Sequence, residues 1–128
     1  MRFHTAVNSF CLSAALNEKI KIYKTALNQY RPYLSLSDAF KVFKFCIEKN
    51  FFDNDIYNVV SNNFTVSQIV EKIKRIKKNA STTFVYSSIM NKISYHIDKK
   101  KLQNKGLFLN SNLNKDIANT LKLFKNIK

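Results

Sequence analysis

Glycine and proline are almost missing from this chain, which has one of each among its 128 residues. Tight turns between strands depend heavily on glycine, proline and asparagine. Asparagine is plentiful here, but long segments without glycine or proline favour helices. The composition therefore argues against a strand-rich fold and predicts an all-α protein.

Cysteine and histidine are equally scarce, with only Cys11, Cys46, His4 and His96 present. They form no CxxC pair and no set at metal-ligand spacing, which argues against a disulfide framework or a zinc site. Two free thiols suit an intracellular, reducing compartment. Residues 1–17 contain one arginine and no acid, so an organellar or exported protein with an N-terminal targeting segment stays open.

Several functional classes lack their usual signals. No apolar run approaches the roughly 20 residues that a membrane span needs. There is no glycine-rich phosphate loop and no nucleophile motif, and His96 and Asp98 are two residues apart and do not share a helical face. We therefore expect no membrane span, no cofactor and no catalytic residue, and we expect that the protein is not an enzyme.

Positive charge is abundant, with 22 basic against 8 acidic residues and a net charge of +14. The excess is uneven, because residues 1–65 carry +3 and residues 66–128 carry +11. Such a potential favours polyanionic partners, above all nucleic acid. Lysine-rich composition alone would also produce a solvated basic surface.

The spacing of apolar residues predicts six or seven short helices. One covers about residues 5–30 with a bend near Ser13, and another follows Ser37. Shorter ones cover residues 54–62 and 66–78, the latter opened by a capping box from Thr65 to Gln68. A further helix runs from Ser81 or Thr82 to residue 97 or 101, and the last covers residues 112–127.

The helix after Ser37 has an unusual amount of apolar surface. Phe40, Phe43 and Ile47 form one stripe, which Val42 and Cys46 widen. This pattern predicts a helix that is buried on two sides.

Three segments share a pattern and suggest an internal repeat. Residues 22–30, 56–64 and 85–93 each place a tyrosine after a β-branched residue and an asparagine five positions later. A helix pair that recurs every 30–35 residues indicates an α-solenoid of stacked antiparallel helical hairpins. We therefore predict one domain over residues 1–128, with repeat units at about 20–50, 54–79 and 83–105 and a capping helix at 112–127.

Residues 22–101 resemble the pentatricopeptide repeat family. The best match is SDAFKVFKFCIEKNFFDNDIYNVV at residues 37–60, where Ala39, Phe43 and Ile47 occupy the family's small, aromatic and apolar positions. The resemblance implies binding of single-stranded RNA, one base per repeat. The base-facing positions that it implies are Lys24, Asn58 and Ser87, with Asp53 and Thr82 as their partners.

Two lysine-rich clusters could neutralise phosphates whether or not the repeat forms. They also lie at predicted helix C-termini, where cations are stabilising in any case. Their members are Lys72, Lys74, Arg75, Lys77 and Lys78, and then Lys99, Lys100 and Lys101.

Nucleic acid is thus the expected partner, with RNA favoured over DNA by the resemblance. Residues 66–93 could instead form a helix-turn-helix that places residues 81–93 in the major groove of DNA. A third alternative is a helical adaptor that binds an acidic protein or associates with itself.

Overall fold

Strands and helices alternate along the chain, in a computed structural model that describes residues 5–86 and 93–124. The prediction of an all-α solenoid is therefore wrong, and the fold is mixed α/β. The helices of the described part are α1 (Ala6–Ala15), α2 (Leu36–Glu48), α3 (Val66–Ile76), α4 (Lys100–Gln103) and α5 (Leu113–Leu123), with a 3₁₀ turn at Lys24–Ala26. Its strands are β1 (Ile20–Tyr23), β2 (Tyr30–Tyr33), β3 (Asn62–Thr65) and β4 (Thr82–Val85).

The single helix predicted over residues 5–30 is replaced by α1, β1, the 3₁₀ turn and β2. Apolar residues three and four apart suggested one helical face, but Ile20 and Ile22 are buried while Lys21 and Tyr23 are exposed. This alternation has the period of two that a strand produces. Four residues are too few for a period of two to be distinguished from the longer helical pattern around them.

Both strand pairs connect residues that are far apart in sequence. β1 pairs with β4 in parallel, so that Ile20 lies opposite Thr82, and β2 pairs with β3 in antiparallel orientation, with Arg31 opposite Phe64. Parallel neighbours need a long crossover, and here that crossover contains β2, α2, β3 and α3. Pro32 occupies a strand position in β2.

Asparagine takes over the turn positions that glycine usually fills. Asn17 and Asn50 have φ values of 59° and 47°, in the left-handed region, directly after the C-caps of α1 and α2. The amide of Phe51 donates to the Cys46 carbonyl at 2.9 Å, and the amide of Glu18 donates to the Ser13 carbonyl at 2.8 Å. Both helices thus end in a Schellman motif. For this reason scarce glycine does not exclude frequent turns.

The main core lies between the β1–β4 pair and helices α1, α3 and α5. Its members include the fully buried Cys11, Ile20, Ile69, Ile73 and Ile117. These residues come from four separate elements, so the core depends on their association. Each of the three helices provides one apolar face to it.

Two helix starts predicted from sequence are confirmed. The Thr65 hydroxyl accepts a hydrogen bond from the Gln68 amide, and the Gln68 side chain accepts one from the Thr65 amide at 2.9 Å, which completes the capping box of α3. At the start of α5, the Asn112 side chain accepts a hydrogen bond from the Asn114 amide at 3.0 Å.

A second, smaller core lies on one face of α2. Leu102, Leu107 and Leu109 are buried there, and Val42 and Phe45 of α2 pack against them. Asp38 anchors the start of the same face and is fully buried. Its carboxylate accepts hydrogen bonds from the Ser61 hydroxyl at 2.6 Å and the Ser111 amide at 2.9 Å.

The repeated tyrosine segments have no common structure. Tyr23 ends β1, Tyr57 lies in an irregular segment, and Tyr86 directly follows β4. The helices predicted over residues 54–62 and from residue 81 or 82 onward are therefore wrong, because β3 and β4 begin there. The hairpin units at 20–50, 54–79 and 83–105 do not form, and neither does the helix-turn-helix, although residues 87–92 lie outside the described ranges.

Helix length bears on membrane insertion. None of the helices in residues 5–86 and 93–124 combines the length and the apolar character that crossing a bilayer needs.

Candidate functional site

A cleft of about 370 Å³ lies between α1, β1, the 3₁₀ turn and β2. Strand alternation creates its polar wall, since Lys21 and Tyr23 are neighbours on one face of β1, and Arg31 and Tyr33 on one face of β2. The complete lining is Ala6, Ser9, Phe10, Lys21, Tyr23, Ala26, Gln29, Arg31, Tyr33 and Val66.

Arg31 is held in place by neighbouring oxygen atoms. Its guanidinium donates to the side-chain oxygen of Gln29 at 2.7 Å, to the Tyr30 carbonyl at 2.8 Å and to the Ile93 carbonyl. Gln29 is itself buried and donates to the Thr25 carbonyl at 3.0 Å. These three acceptors of Arg31 are uncharged, and they fix the direction in which the guanidinium points.

Two tyrosines give the cleft aromatic surface. Tyr23 is 40% exposed, and Tyr33 is partly buried with its ring centroid 6.3 Å from that of Phe64. Burial raises the pKa of Tyr33 above its usual value, and the positive charge of Arg31 opposes that rise. Tyr33 therefore stays a neutral hydrogen-bond donor at physiological pH.

The lining contains two cationic side chains, no acid and three aromatic rings. Cations with oriented N–H groups favour a phosphate or carboxylate, and the rings offer flat apolar surface to a planar group. The arrangement is thus suited to binding an anionic, ring-containing ligand.

Comparisons with known proteins concern the fold. No protein-family model and no curated protein matches the sequence. Among solved structures, UDP-N-acetylglucosamine 4-epimerase from Bacillus cereus matches 98% of this chain with a TM-score of 0.77 and 15% identity. UDP-glucose 4-epimerase from Thermus thermophilus, in complex with NAD, matches all of it with a TM-score of 0.78 and 15% identity. dTDP-glucose 4,6-dehydratase from Bacillus anthracis str. Ames, in complex with NAD, matches 99% with a TM-score of 0.78 and 17% identity.

The chain shares its fold with a part of these enzymes. It spans only 41–43% of the length of the three matched chains. At this level of identity the likeness shows the fold alone. More than half of each matched enzyme therefore has no counterpart in this chain.

These matches correct the interpretation of the sequence. The resemblance to pentatricopeptide repeats is wrong, because all three matched structures are α/β enzymes. The prediction that the protein binds nucleic acid, with RNA favoured, is also wrong, because the matched structures with this fold are epimerases and a dehydratase. The expectation that the protein is not an enzyme is likewise contradicted, since its fold is that of a part of epimerases and a dehydratase.

The first predicted lysine cluster lies in and just after α3. Lys72 lies 5.6 Å from the ring centroid of Phe64 and donates to the Asn114 side chain at 3.3 Å. Lys74 donates to the hydroxyl of Thr82 at 3.4 Å. Arg75 and Lys78 are exposed, and Lys77 is half-buried.

The second cluster contacts a different segment of the chain. Lys99 donates to the backbone carbonyls of Ser61 and, at 2.9 Å, of Leu109. Lys101 forms an ion pair with Asp55 at 2.5 Å, and Lys100 lies 3.9 Å from Asp98. Most of these cations thus stabilise loops around the second core.

The base-facing positions implied by the repeat do not come together. Lys24 is exposed in the 3₁₀ turn, and Asn58 donates to the Asp98 carbonyl at 3.2 Å. Asp53 accepts from the hydroxyl of Tyr57, which lowers the pKa of the Asp53 carboxyl, and it pairs with Lys105 at 3.1 Å. Thr82 begins β4, and Ser87 lies outside the described residues.

None of the cleft residues Lys21, Tyr23, Gln29, Arg31 and Tyr33 was among the site residues predicted from the sequence. A signal was present, because lysine and arginine each precede a tyrosine by two positions in short segments flanked by turn-forming residues. Reading those segments as strands would have placed each pair on one face. In the described ranges, no three histidine, cysteine, aspartate or glutamate side chains come together to hold a metal.

Proposed function

We propose that this chain is the substrate-binding part of an epimerase- or dehydratase-type enzyme and that its cleft binds the nucleotide end of a sugar nucleotide. The observation that carries the proposal is the pairing of Arg31 and Lys21 with aromatic rings in a cleft lined by no acid. The fold likeness to enzymes whose names include UDP and dTDP sugars supports the same ligand class.

The physical roles divide between the two ends of such a ligand. The guanidinium of Arg31 and the ammonium of Lys21 would neutralise a diphosphate, with charge-assisted hydrogen bonds that are stronger than neutral ones. Tyr23 or Tyr33 would pack against the planar base, since stacking places two flat apolar surfaces together. Gln29 positions Arg31 before the ligand arrives, which lowers the ordering cost of binding.

The dinucleotide named in two of the matched structures does not fit the residues of this chain. Its pyrophosphate usually binds at a glycine-rich turn between a strand and a helix. Gly106, the single glycine, follows the short helix α4, and in the described residues before it no strand leads directly into a turn at Gly106. The redox step would therefore depend on residues outside this chain, whereas its own residues would bind and orient the substrate.

Ligand titration tests the proposal directly. We expect UDP, UDP-glucose and dTDP-glucose to bind in calorimetric titrations of the chain, and uridine to bind at least about tenfold more weakly, or about 1.4 kcal/mol. Equal affinity for uridine and UDP would contradict a diphosphate site.

Charge reversal locates the site. Lys21→Glu should weaken UDP binding about tenfold or more, because it places a negative charge beside the diphosphate. Lys19→Glu is the matched control, since Lys19 is also exposed and close in sequence but lies outside the cleft lining. Equal effects of the two variants would show general charge attraction in place of a built site.

The compartment stays a prediction. Cys11 and Cys46 are both free thiols, and burial raises the pKa of the Cys11 thiol to about 12. Free thiols are the state that this prediction expects.

A further inference from the structure

The turns that follow α1 and α3 lie against each other and form one surface. The side-chain amide of Asn79 donates to the side-chain oxygen of Asn17 at 3.0 Å, and the Ile20 amide donates to the Ser81 carbonyl at 2.9 Å. These bonds place residues 16–20 beside residues 76–82, where β1 and β4 begin to pair. We call the basic and apolar residues at this place the basic end, which consists of Leu16, Lys19, Lys74, Arg75, Ile76, Lys77 and Lys78.

The cations of the basic end have no carboxylate partner within the described residues. Lys74 donates instead to the uncharged hydroxyl of Thr82 at 3.4 Å. Four of the five cations are exposed, and Lys77 is half-buried. The ion pairs of the described residues use other lysines, namely Lys41, Lys44, Lys100, Lys101 and Lys105. The charge of the basic end therefore faces solvent without being neutralised.

Helix C-termini account for only a part of this charge. The C-terminus of a helix carries about half a negative charge, so the ends of α1 and α3 together offer about one. The basic end has five cations, and Glu18 is the one acid in residues 16–20 and 74–82, which gives a net charge of +4. About three positive charges therefore exceed what the two helices can neutralise.

Two aliphatic side chains lie among the cations. Leu16 is the C-cap of α1 and is 38% exposed, and Ile76 is the last residue of α3 and is 42% exposed. Lysine side chains have apolar stems that can lie along such a surface while their ammonium groups stay in water. Cations around partly exposed aliphatic groups are the pattern of proteins that bind at the interface of an anionic membrane.

The residue types favour a lipid surface over a protein partner. Interfaces between proteins are depleted in lysine and enriched in arginine and aromatic residues. The basic end has four lysines, one arginine and no aromatic residue. A lysine ammonium is a compact charge on a flexible stem, without the planar fork with which arginine pairs a carboxylate. It is therefore suited to a mobile layer of lipid headgroups, whose attraction does not depend on exact geometry.

We propose that the basic end is a docking surface for an anionic lipid bilayer. Its five cations contact the headgroups, and Leu16 and Ile76 reach the boundary between headgroups and acyl chains. The chain then lies on the membrane surface through this end. The proposal does not depend on the candidate cleft, whose lining contains none of the residues of the basic end.

Vesicle co-sedimentation tests the proposal on the unchanged chain. One set of vesicles contains phosphatidylcholine and phosphatidylserine in equal parts, and the other contains phosphatidylcholine alone. We expect binding to the mixed vesicles to be at least about tenfold tighter. Raising the salt from about 0.15 M to about 1 M, which shortens the Debye length from about 8 Å to about 3 Å, should weaken it by a similar factor. Absence of binding to the mixed vesicles, or equal binding to both sets, would overturn the proposal.

Charge reversal locates the docking surface. A basic side chain near an anionic membrane contributes about fivefold in affinity, so Arg75→Glu with Lys78→Glu should weaken binding to the mixed vesicles by at least about 25-fold. Lys49→Glu with Lys100→Glu is the matched control, because it makes the same change of charge at exposed residues outside the basic end. The control should weaken binding by less than about threefold, since charges far from the headgroups are screened. Equal losses in the two double variants would show attraction by net charge alone and would overturn the proposal.

Two further measurements separate docking from folding and from the cleft. Both double variants should unfold at the same urea concentration as the unchanged chain and should bind UDP equally well. If a variant fails to fold, the comparison of lipids and of salt on the unchanged chain still decides. Binding to polyglutamate or to an oligonucleotide, without binding to the mixed vesicles, would overturn the proposal in favour of another polyanion. Failure of UDP to bind the unchanged chain would contradict only the cleft.

Discussion

Helix α2 has apolar residues on two opposite faces, and the surroundings of these faces differ. One face buries Asp38 and packs Val42 and Phe45 against the second core, and the other leaves Leu36, Phe40, Phe43 and Ile47 exposed. Helical periodicity detects both faces equally well, because it reports only how residues are spaced. Whether a face is covered depends on what packs against it, and that is decided by tertiary structure or by a partner.

Among the variants considered, Asp38→Ala should cause the largest loss of unfolding free energy, because Asp38 lies on the buried face of α2. Asp38→Ala removes the acceptor of the Ser61 hydroxyl and of the Ser111 amide, and one of the two side-chain acceptors of the Lys41 ammonium. Buried donors that lose a charged partner cost about 3 kcal/mol in unfolding free energy. Urea denaturation measures this loss. Asp55→Ala, at an exposed ion pair, is the control and should leave the midpoint nearly unchanged.

Phe45→Ala should be the next largest change. The Phe45 ring packs on the cluster of Leu102, Leu107 and Leu109, and its centroid lies 5.3 Å from that of Phe51 in an edge-to-face arrangement. Because the side chain is half-buried, we expect a loss of about 2 kcal/mol, below the range for fully buried rings. A loss of unfolding free energy under about 0.5 kcal/mol in chemical denaturation would contradict this packing.

Lowering the pH should reduce the unfolding free energy, because Asp38 on the buried face of α2 becomes protonated. Burial would raise the pKa of Asp38, but hydrogen bonds from Ser61, Ser111 and Lys41 outweigh it and lower the pKa to about 2 from an ordinary value of 3.8. A carboxyl group whose pKa is lower in the folded state than in the unfolded state stabilises the fold at pH values above its unfolded pKa. That stabilisation, at most about 2 kcal/mol, should disappear as the pH falls from about 5 to 2.

Unfolding experiments across this pH range check the sign of the effect. The Asp38→Asn variant should show a shallower acid dependence than the unchanged chain. An equally steep dependence in both would assign the acid effect to other carboxyls.

Phe43→Ala should have the smallest effect. Its side chain is 70% exposed on the solvent side of α2, so we expect the unfolding free energy of the isolated chain to change by less than about 0.5 kcal/mol. Binding of a hydrophobic dye such as ANS should fall, because apolar surface has been removed. A loss comparable to that of Phe45→Ala would mean that the two faces are equally covered.

Helices with strong local signals were predictable. The capping box at Thr65 and the cap at Asn112 mark the starts of α3 and α5, and both are formed by residues within three positions of each other. The apolar faces of these helices also follow from spacing alone. Strands were missed because each has only four residues, and a period of two cannot be told from a helical pattern over so short a segment.

The candidate cleft was not predictable in the same way. Arg31 and Lys21 lie ten residues apart, in strands that pair with different partners, and their shared cleft requires both pairings to form. The predicted phosphate-binding residues were instead the basic residues at 72–78 and 99–101, where charge density is highest. Charge density describes a general attraction for anions, whereas a binding cleft needs convergent side chains.

By itself the sequence determined the local features of this protein: the capped helices, the apolar faces, the positive charge and the absence of a glycine-rich phosphate loop. These depend on residues within one or two turns of each other, or on composition. Tertiary structure decided which faces are buried, which short segments become strands, and that Arg31, Lys21 and two tyrosines meet in one cleft. Those outcomes depend on contacts between residues far apart in sequence, such as Ile20 with Thr82, which are 62 positions apart, and no local pattern specifies them.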